Sequence, residues 1–312
     1  MEKIKVIAVV GPTASGKTSL AVELAKKLNG EVISADSMQV YTGMDIATAK
    51  PDSEEMAGIP HHLINIISPE EEFSVSRFCD LAGEAVRNIV SRGKVPIIAG
   101  GTGLYVDSFL GNTVFLENTK NDEVRKELSL RLEKEGVESL YGELCEKDPE
   151  AAEKIHPNNS LKIIRALEIF YSSGKTLTYQ NELSHLEESP YESLVFGLTA
   201  EDREFLYDRI NRRVDIMLEK GLVEETKMFF ETKSASTACQ AIGYKELKPY
   251  LDGNLSLEEA SENLKRATRR YAKRQLTWFR RNKDILWFDI DTLSSEELVS
   301  EAEKLAKEFL EK

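Results

Sequence analysis

The sequence predicts an α/β fold: a parallel sheet flanked by helices and interrupted by a stretch that is helical throughout. Three observations carry this. An unbroken apolar run at residues 4–10 leads straight into a glycine-rich loop, strand and helix patterns alternate through the first third of the chain, and helix-only periodicity takes over at residues 120–190.

Residues 4–10, IKVIAVV, lack the polar alternation of a half-exposed strand, as expected of one buried on both faces. A helix follows the loop over 18–28, with Leu20, Leu24 and Leu28 on one face and Gly30 as its expected stop. Residues 31–35 read as the second strand. Phe78, Ala82, Ala85 and Ile89 mark a helix over 76–92, and residues 95–99 a third strand that ends in the tight GGTG turn at 100–103. Strand, helix and strand in this order imply right-handed crossovers and a parallel sheet. Between 111 and 121 the character changes. Helices at 122–136, with Val124, Leu128 and Leu132 in register, and at 159–173, closed by Gly174, fall in the insertion, and 187–193 is its polar exit. Residues 194–198 return to the sheet. Helices over 201–220 and 223–231 precede a long basic helix at 257–281, a last strand at 285–290 and a closing helix at 294–310. The reading is thus a core of residues 1–119 and 191–312 with a helical insertion at 120–190.

The 312 residues are 41% hydrophobic and 30% charged, enough to bury a full core. No run of about 18 apolar residues is present to span a membrane, and the first strand enters the loop too directly for a cleaved leader. Cys79, Cys145 and Cys239 lie far apart with no CxxC spacing, which disfavours a disulfide framework or cysteine zinc site and suits the cytoplasm. His61 and His62 are adjacent while His156 and His185 are isolated, so no histidine metal set is expected. Nothing calls for more than a monomer. The net charge of −13 argues against nucleic acid on average, but binding follows local potential. Residues 265–283 hold nine Lys or Arg and no acid, with Tyr271, Trp278 and Phe279 interleaved, a composition suited to RNA.

Gly11, Pro12, Thr13, Ala14, Ser15, Gly16, Lys17 and Thr18 match GxxxxGK[ST] between a strand and a helix. The glycines let backbone N–H groups converge on phosphate oxygens at the positive end of the following helix. Lys17 adds charge and Thr18 offers a hydroxyl to Mg²⁺. The sheet is therefore P-loop NTPase-like. The loop speaks strongly for phosphate and weakly for which phosphate. The usual companion is a strand ending in a magnesium-binding acid. Residues 95–99 end in Gly100, Gly101 and Thr102 instead, while 32–35 end in Asp36. Strand C-termini share the loop's edge of the sheet, so Asp36 and Thr102 should both face the phosphates.

GPTASGKT, ISADSMQVYTGMDIATAKP, PHHLI, IIAGGTGLY, IHPNNSLKIIRALEI, SGKT, CQAIGYKE and KRQLTWFR together resemble the tRNA dimethylallyltransferases, or tRNA isopentenyltransferases, over nearly the whole chain. The resemblance implies transfer of a prenyl group from dimethylallyl diphosphate to the N6 amine of the adenine 3′ to the anticodon. It implies that the loop grips the donor diphosphate with Mg²⁺ and hydrolyses no ATP, although such loops are commonly read as ATP-binding. Asp36 matches the base, Thr102 the threonine on the diphosphate, and Arg213 of RINRRV a diphosphate partner, with Arg209 and Arg212 as neighbouring alternatives. Ser37, Met38 and Gln39 would meet the extruded adenine with Asp36. Toward the tRNA anticodon stem-loop the resemblance offers Gln240, Gly243, Tyr244 and Lys245 in QAIGYK, Lys273, Arg274, Trp278 and Arg280 on the basic helix, and Arg125, Lys162 and Arg165 in the insertion. An adenylate isopentenyltransferase would share the loop, Asp36 and Thr102 but needs neither insertion nor basic helix. A small-molecule P-loop kinase would consume ATP, and a non-catalytic RNA-binding module leaves the loop unexplained.

Overall fold

The computed structural model describes residues 3–116, 119–186, 188–232, 234 and 237–312, without the side chain of His185. Glu187, the first residue of the expected polar exit, lies outside the described residues. Two compact units emerge, Met1–Leu110 with Pro190–Lys312, and Gly111–Ser189.

The first unit contains β1 (Ile4–Val10), α1 (Lys17–Leu28), β2 (Gly30–Ser34), α2 (Ser53–Met56), β3 (His61–His62), α3 (Val75–Ser91), β4 (Val95–Gly100) and α4 (Gly103–Leu110). The second contains α5 (Asp122–Glu135), α6 (Val137–Lys147), α7 (Pro149–Lys154), α8 (Ser160–Ser173) and α9 (Leu177–Leu186). The first then resumes with β5 (Tyr191–Thr199), α10 (Arg203–Glu219), α11 (Leu222–Glu231), a 3₁₀ turn at Ala238–Gln240, α12 (Tyr244–Leu251), α13 (Leu257–Phe279), β6 (Leu286–Asp289) and α14 (Ser295–Glu311).

The six strands form one sheet in the order β3-β2-β4-β1-β5-β6, and all pairs are parallel. Successive side chains of a strand point to opposite faces. Val6, Ala8 and Val10 of β1 therefore enter a core shared with Phe78, Val86 and Ile89 of α3. Ile7 and Val9 enter the opposite core, with Leu20 and Leu24 of α1 and Ala302 of α14. Burial on both faces is why these strands read as continuous apolar runs. The helical unit has its own core of Leu128, Leu140, Leu144, Ile163 and Leu167.

Several expectations shift. Helix α1 stops at Asn29, in the left-handed region at φ 51°, and Gly30 opens β2. Gly30 is needed for a different reason: a Cβ there would lie 2.8 Å from the Val95 carbonyl oxygen. Strand β5 starts at Tyr191, earlier than expected, because Glu192 and Ser193 are exposed at its start and carry no apolar signal. Helix α4 follows the GGTG turn directly, and α12 begins on Gly243, so the glycine punctuation hid both helices. Among the described residues no helix is long and apolar enough to cross a membrane, and no group of three or more His, Cys, Asp or Glu is placed to hold a metal ion.

Candidate active site

Strands β2, β4 and β1 are neighbours in that order, so their C-terminal ends stand side by side. Each end delivers one part of the site: Asp36 after β2, Thr102 after β4 and the glycine loop after β1. The turns are bound together as well as adjacent. Ala35 accepts the Thr102 N–H through its carbonyl at 3.3 Å, and the Ser37 N–H donates to Thr102 Oγ1 at 3.1 Å.

The loop itself is sharply shaped. Gly11 stands at φ 144° and Gly16 at φ 92°, and even Ala14 is left-handed at φ 62°, a conformation worth about 1–3 kcal/mol of strain in a non-glycine residue. A Cβ on Gly11 would meet the Leu198 carbonyl oxygen at 2.6 Å. Gly16 caps α1 without any side-chain hydrogen bond, and the first turn of α1 holds no acid. By contrast, α3, α13 and α14 each begin on a serine whose side chain accepts a backbone N–H. The N–H groups of α1 are thus left for an anion, with the helix dipole behind them.

Three cations gather around Lys17 and Asp36. Lys17 Nζ donates to the Pro12 carbonyl at 2.6 Å. Arg209 Nε donates to the Ala14 carbonyl at 2.8 Å. Arg213 Nη2 donates to the Ala49 carbonyl at 3.4 Å. Burial and the neighbouring Arg213 guanidinium bring the Lys17 ammonium down to about 7, against the opposing pull of Asp36. Burial also lowers Arg213, with Glu55 and Asp36 acting the other way. All three donate to backbone carbonyls, which leaves their charge for a polyanion. Of the three neighbouring arginines, Arg209 reaches the loop through the Ala14 carbonyl and Arg213 stands close enough to Lys17 to act on its charge.

Asp36 Oδ1 accepts the Met38 N–H at 2.8 Å and the Gln39 N–H at 3.3 Å. Among the described residues Oδ2 accepts no hydrogen bond and remains available. Burial raises the carboxyl above the usual range, while the two backbone donors, Lys17 and Arg213 hold the rise in check. A carboxylate with one free oxygen and a raised proton affinity is suited to taking a proton.

Other expected contacts are placed differently. Tyr244 is fully buried. It stacks on Phe229 with ring centroids 4.2 Å apart and donates its hydroxyl to Glu225, so it is a core residue and the reading of it as an RNA contact is corrected. The Gln39 amide is engaged within the protein: its oxygen accepts from Ser34 Oγ at 2.9 Å, and its nitrogen donates to the carbonyls of Thr48 and Ala49. Trp278 Nε1 donates to Asp107 at 2.7 Å, and the Arg281 guanidinium lies 3.9 Å from its ring centroid, so its one polar atom serves the fold. Met38 is partly buried against the core. In the helical unit, Arg165 donates to the Thr119 carbonyl and to the buried Glu168 at 2.9 Å each, while Arg125 lies 3.8 Å from Glu168. Lys162, Gln240, Lys245, Lys273, Arg274 and Arg280 are exposed. Gly243, at φ 120°, has Ala47 3.2 Å from where its Cβ would be. Sequence reasoning missed the roles of Glu225 and Gln275. Gln275, the one uncharged polar side chain inside KRQLTW able to both donate and accept through an amide, was the signal on offer.

The family described as IPP transferase matches residues 39–282. A tRNA dimethylallyltransferase of Acetivibrio thermocellus is 50% identical over 296 residues, which cover 94% of each chain. Among solved structures, the full-length tRNA isopentenylpyrophosphate transferase of Bacillus halodurans is similar at 48% identity, covering 99% of this chain and 97% of that one with a TM-score of 0.74. A eukaryotic dimethylallyltransferase captured acting on tRNA is 34% identical, with coverage of 99% and 80% and a TM-score of 0.83.

Proposed function

The chain belongs to the IPP transferase family, and from that premise we propose how its site works. It is a prenyltransferase that moves a dimethylallyl group from dimethylallyl diphosphate to the N6 amine of the adenine 3′ to the anticodon of tRNA, releasing diphosphate. The observation that carries this reading is the row of β2, β4 and β1 ends, which sets a proton acceptor, a hydroxyl and a phosphate cradle side by side.

The lone pair of an exocyclic adenine amine is delocalised into the ring, which makes the amine a poor nucleophile. As the nitrogen bonds to the allylic carbon of the donor, its proton becomes acidic and Asp36 Oδ2 accepts it. The bond from that carbon to the diphosphate oxygen breaks, and its electron pair leaves with the diphosphate. Lys17, Arg213, Arg209 and the open N–H groups of α1 stabilise that growing charge, and Thr102 Oγ1, bonded to the Ser37 N–H next to Asp36, completes the row. The Thr18 hydroxyl, on the first turn of α1, fits Mg²⁺, an ion that takes few protein ligands beside substrate phosphates and water. Bound there with the diphosphate, it would neutralise leaving-group charge.

The adenine must leave its stack to reach Asp36, at roughly a few kcal/mol. Exposed Lys273, Arg274 and Arg280 on and just after α13, with Lys245 and Gln240, supply RNA contacts in the first unit, and Lys162 and Arg125 in the helical unit. Gln39, with its amide committed inward, shapes the wall near the base instead of reading its edge. A tRNA substrate and three free thiols suit a reducing cytoplasm, and one chain carries every group named, so a monomer suffices.

The test supplies labelled dimethylallyl diphosphate with undermodified tRNA, AMP or ATP. Label on the tRNA is expected. Label on AMP alone would assign a nucleotide prenyltransferase, and ATP consumption without prenyl transfer would assign a kinase.

A further inference from the structure

The glycine loop and the GGTG turn are joined through one amide. Gln275, on α13, is buried at 5% exposure. Its Oε1 accepts the Thr13 N–H of the phosphate loop at 2.8 Å, and its Nε2 donates to the Gly101 carbonyl at 2.9 Å. One partner is a donor and the other an acceptor, so the amide fits in a single orientation and both bonds break together if it turns over.

The surrounding sequence is built to admit this side chain. A Cβ on Gly101 would sit 2.1 Å from Gln275 Nε2, and a Cβ on Gly103 would sit 2.1 Å from Trp278 Cδ1. The hydroxyl of Tyr271 lies beside Thr102 and Gln275. Positions 271, 275 and 278 are spaced i, i+4 and i+7, a single stripe along α13. The glycines of the GGTG turn thus let this stripe seat directly on the turn that carries Thr102.

We propose that Gln275 is a positioning residue for prenyl transfer: its amide fixes the distance between the phosphate loop and Thr102, and so the seating of the donor diphosphate. This rests on the reading of the glycine loop and its neighbours as the donor site. Gln275 does not touch the reacting atoms. It acts through the Thr13 amide on one side and the residue 101–102 turn on the other. A displacement of the reacting groups by about 1 Å is enough to alter turnover strongly.

The experiment measures binding of inorganic pyrophosphate with Mg²⁺ by calorimetry, together with steady-state kinetics for both substrates, in Gln275→Leu, Gly101→Ala and the double variant. Gln275→Leu should weaken pyrophosphate binding about tenfold and raise the KM for dimethylallyl diphosphate by a similar factor, with the KM for tRNA changed less than about twofold. Gly101→Ala, which drives a methyl group into the same amide, should reproduce that pattern, and the double variant should add little, because the two changes disrupt one and the same junction. If Gln275→Leu does not fold, Gly101→Ala carries the same readout. A lowered Tm with unchanged pyrophosphate binding and donor KM would make Gln275 a packing residue and overturn the proposal alone. Wild-type protein that binds no pyrophosphate would overturn the reading of the donor site, and the proposal with it.

Discussion

The hydroxyl of Tyr244 donates to Oε1 of Glu225 at 2.9 Å inside the core, and the same carboxylate gathers the backbone N–H groups of Asp45, Ile46 and Ala47 at 2.9, 2.7 and 2.9 Å. Four donors on one buried carboxylate compensate its desolvation. The loop it pins continues to Ala49, whose carbonyl receives both Gln39 and Arg213. Glu225→Ala would leave three backbone donors without a partner, at about 1–3 kcal/mol for each one that water cannot reach. The loss in urea unfolding free energy should therefore be on the order of 3 kcal/mol or more, whereas Tyr244→Phe should cost about 1 kcal/mol. Equal losses in the two variants would show that the backbone donors are not held by Glu225.

This knot shows which parts of the molecule were legible beforehand. Strands β1, β2 and β4 announced themselves because burial on both faces leaves an unbroken apolar run, and Gly11, Gly16 and Lys17 because their chemistry is local. Asp36 and Thr102 followed from the rule that parallel strands end on a common edge. Glu225 and Gln275 were not legible, because each acts on residues far along the chain, Ala47 and Thr13 respectively, and Arg209 stood only as an alternative to Arg213 because its bond to Ala14 is equally remote in sequence. Tyr244 misled for the same reason. Its neighbours in QAIGYK include exposed Gln240 and Lys245, and only the fold turns the ring between them inward.

Asp36 should control turnover and its response to acid. Asp36→Asn keeps the shape and removes the proton acceptor, so kcat should fall by about 10²-fold or more, with tRNA binding nearly intact. The base works only when deprotonated. Burial raises its pKa above the ordinary carboxylate value of 3.8, so kcat should decline as pH falls through a point above that value. A pH–rate profile at saturating substrates checks both features. An acidic limb that survives unchanged in Asp36→Asn would assign the base elsewhere.

Glu31 should govern acid stability. It is 1% exposed at the start of β2 and accepts from Arg92 Nη2 at 2.7 Å, Lys94 Nζ at 2.8 Å and His62 Nε2 at 2.8 Å. Arg92, most of all, holds its carboxyl well below the usual range in spite of burial. A depressed carboxylate contributes stability above its unfolded pKa of 4.5 and loses it as pH falls toward the folded value. Glu31→Gln should cost about 2 kcal/mol at pH 7, and the gap from wild type should narrow steadily below about pH 4.5. Urea midpoints measured from pH 3 to 7 give the answer, and a gap that widens in acid would refute the assignment.

The basic charges of α13 divide into two kinds, and salt should tell them apart. Lys265 Nζ lies 2.7 Å from Asp215 and Arg269 donates to Asn211 at 2.6 Å, so both hold α13 against α10. Lys273 and Arg274 are exposed, with no carboxylate in ion-pair reach among the described residues. A cation on an RNA phosphate releases a counterion, so removing it lowers the slope of log affinity against log salt by about 0.7 for single-stranded RNA. Lys273→Ala with Arg274→Ala should weaken tRNA binding and flatten that slope by about 0.7 for each phosphate no longer neutralised. Lys265→Ala and Arg269→Ala should instead lower stability and leave the slope where it was. Filter binding over a series of salt concentrations separates the two outcomes. A slope that responds to Lys265 and Arg269 but not to Lys273 and Arg274 would put the tRNA on the other face of the helix.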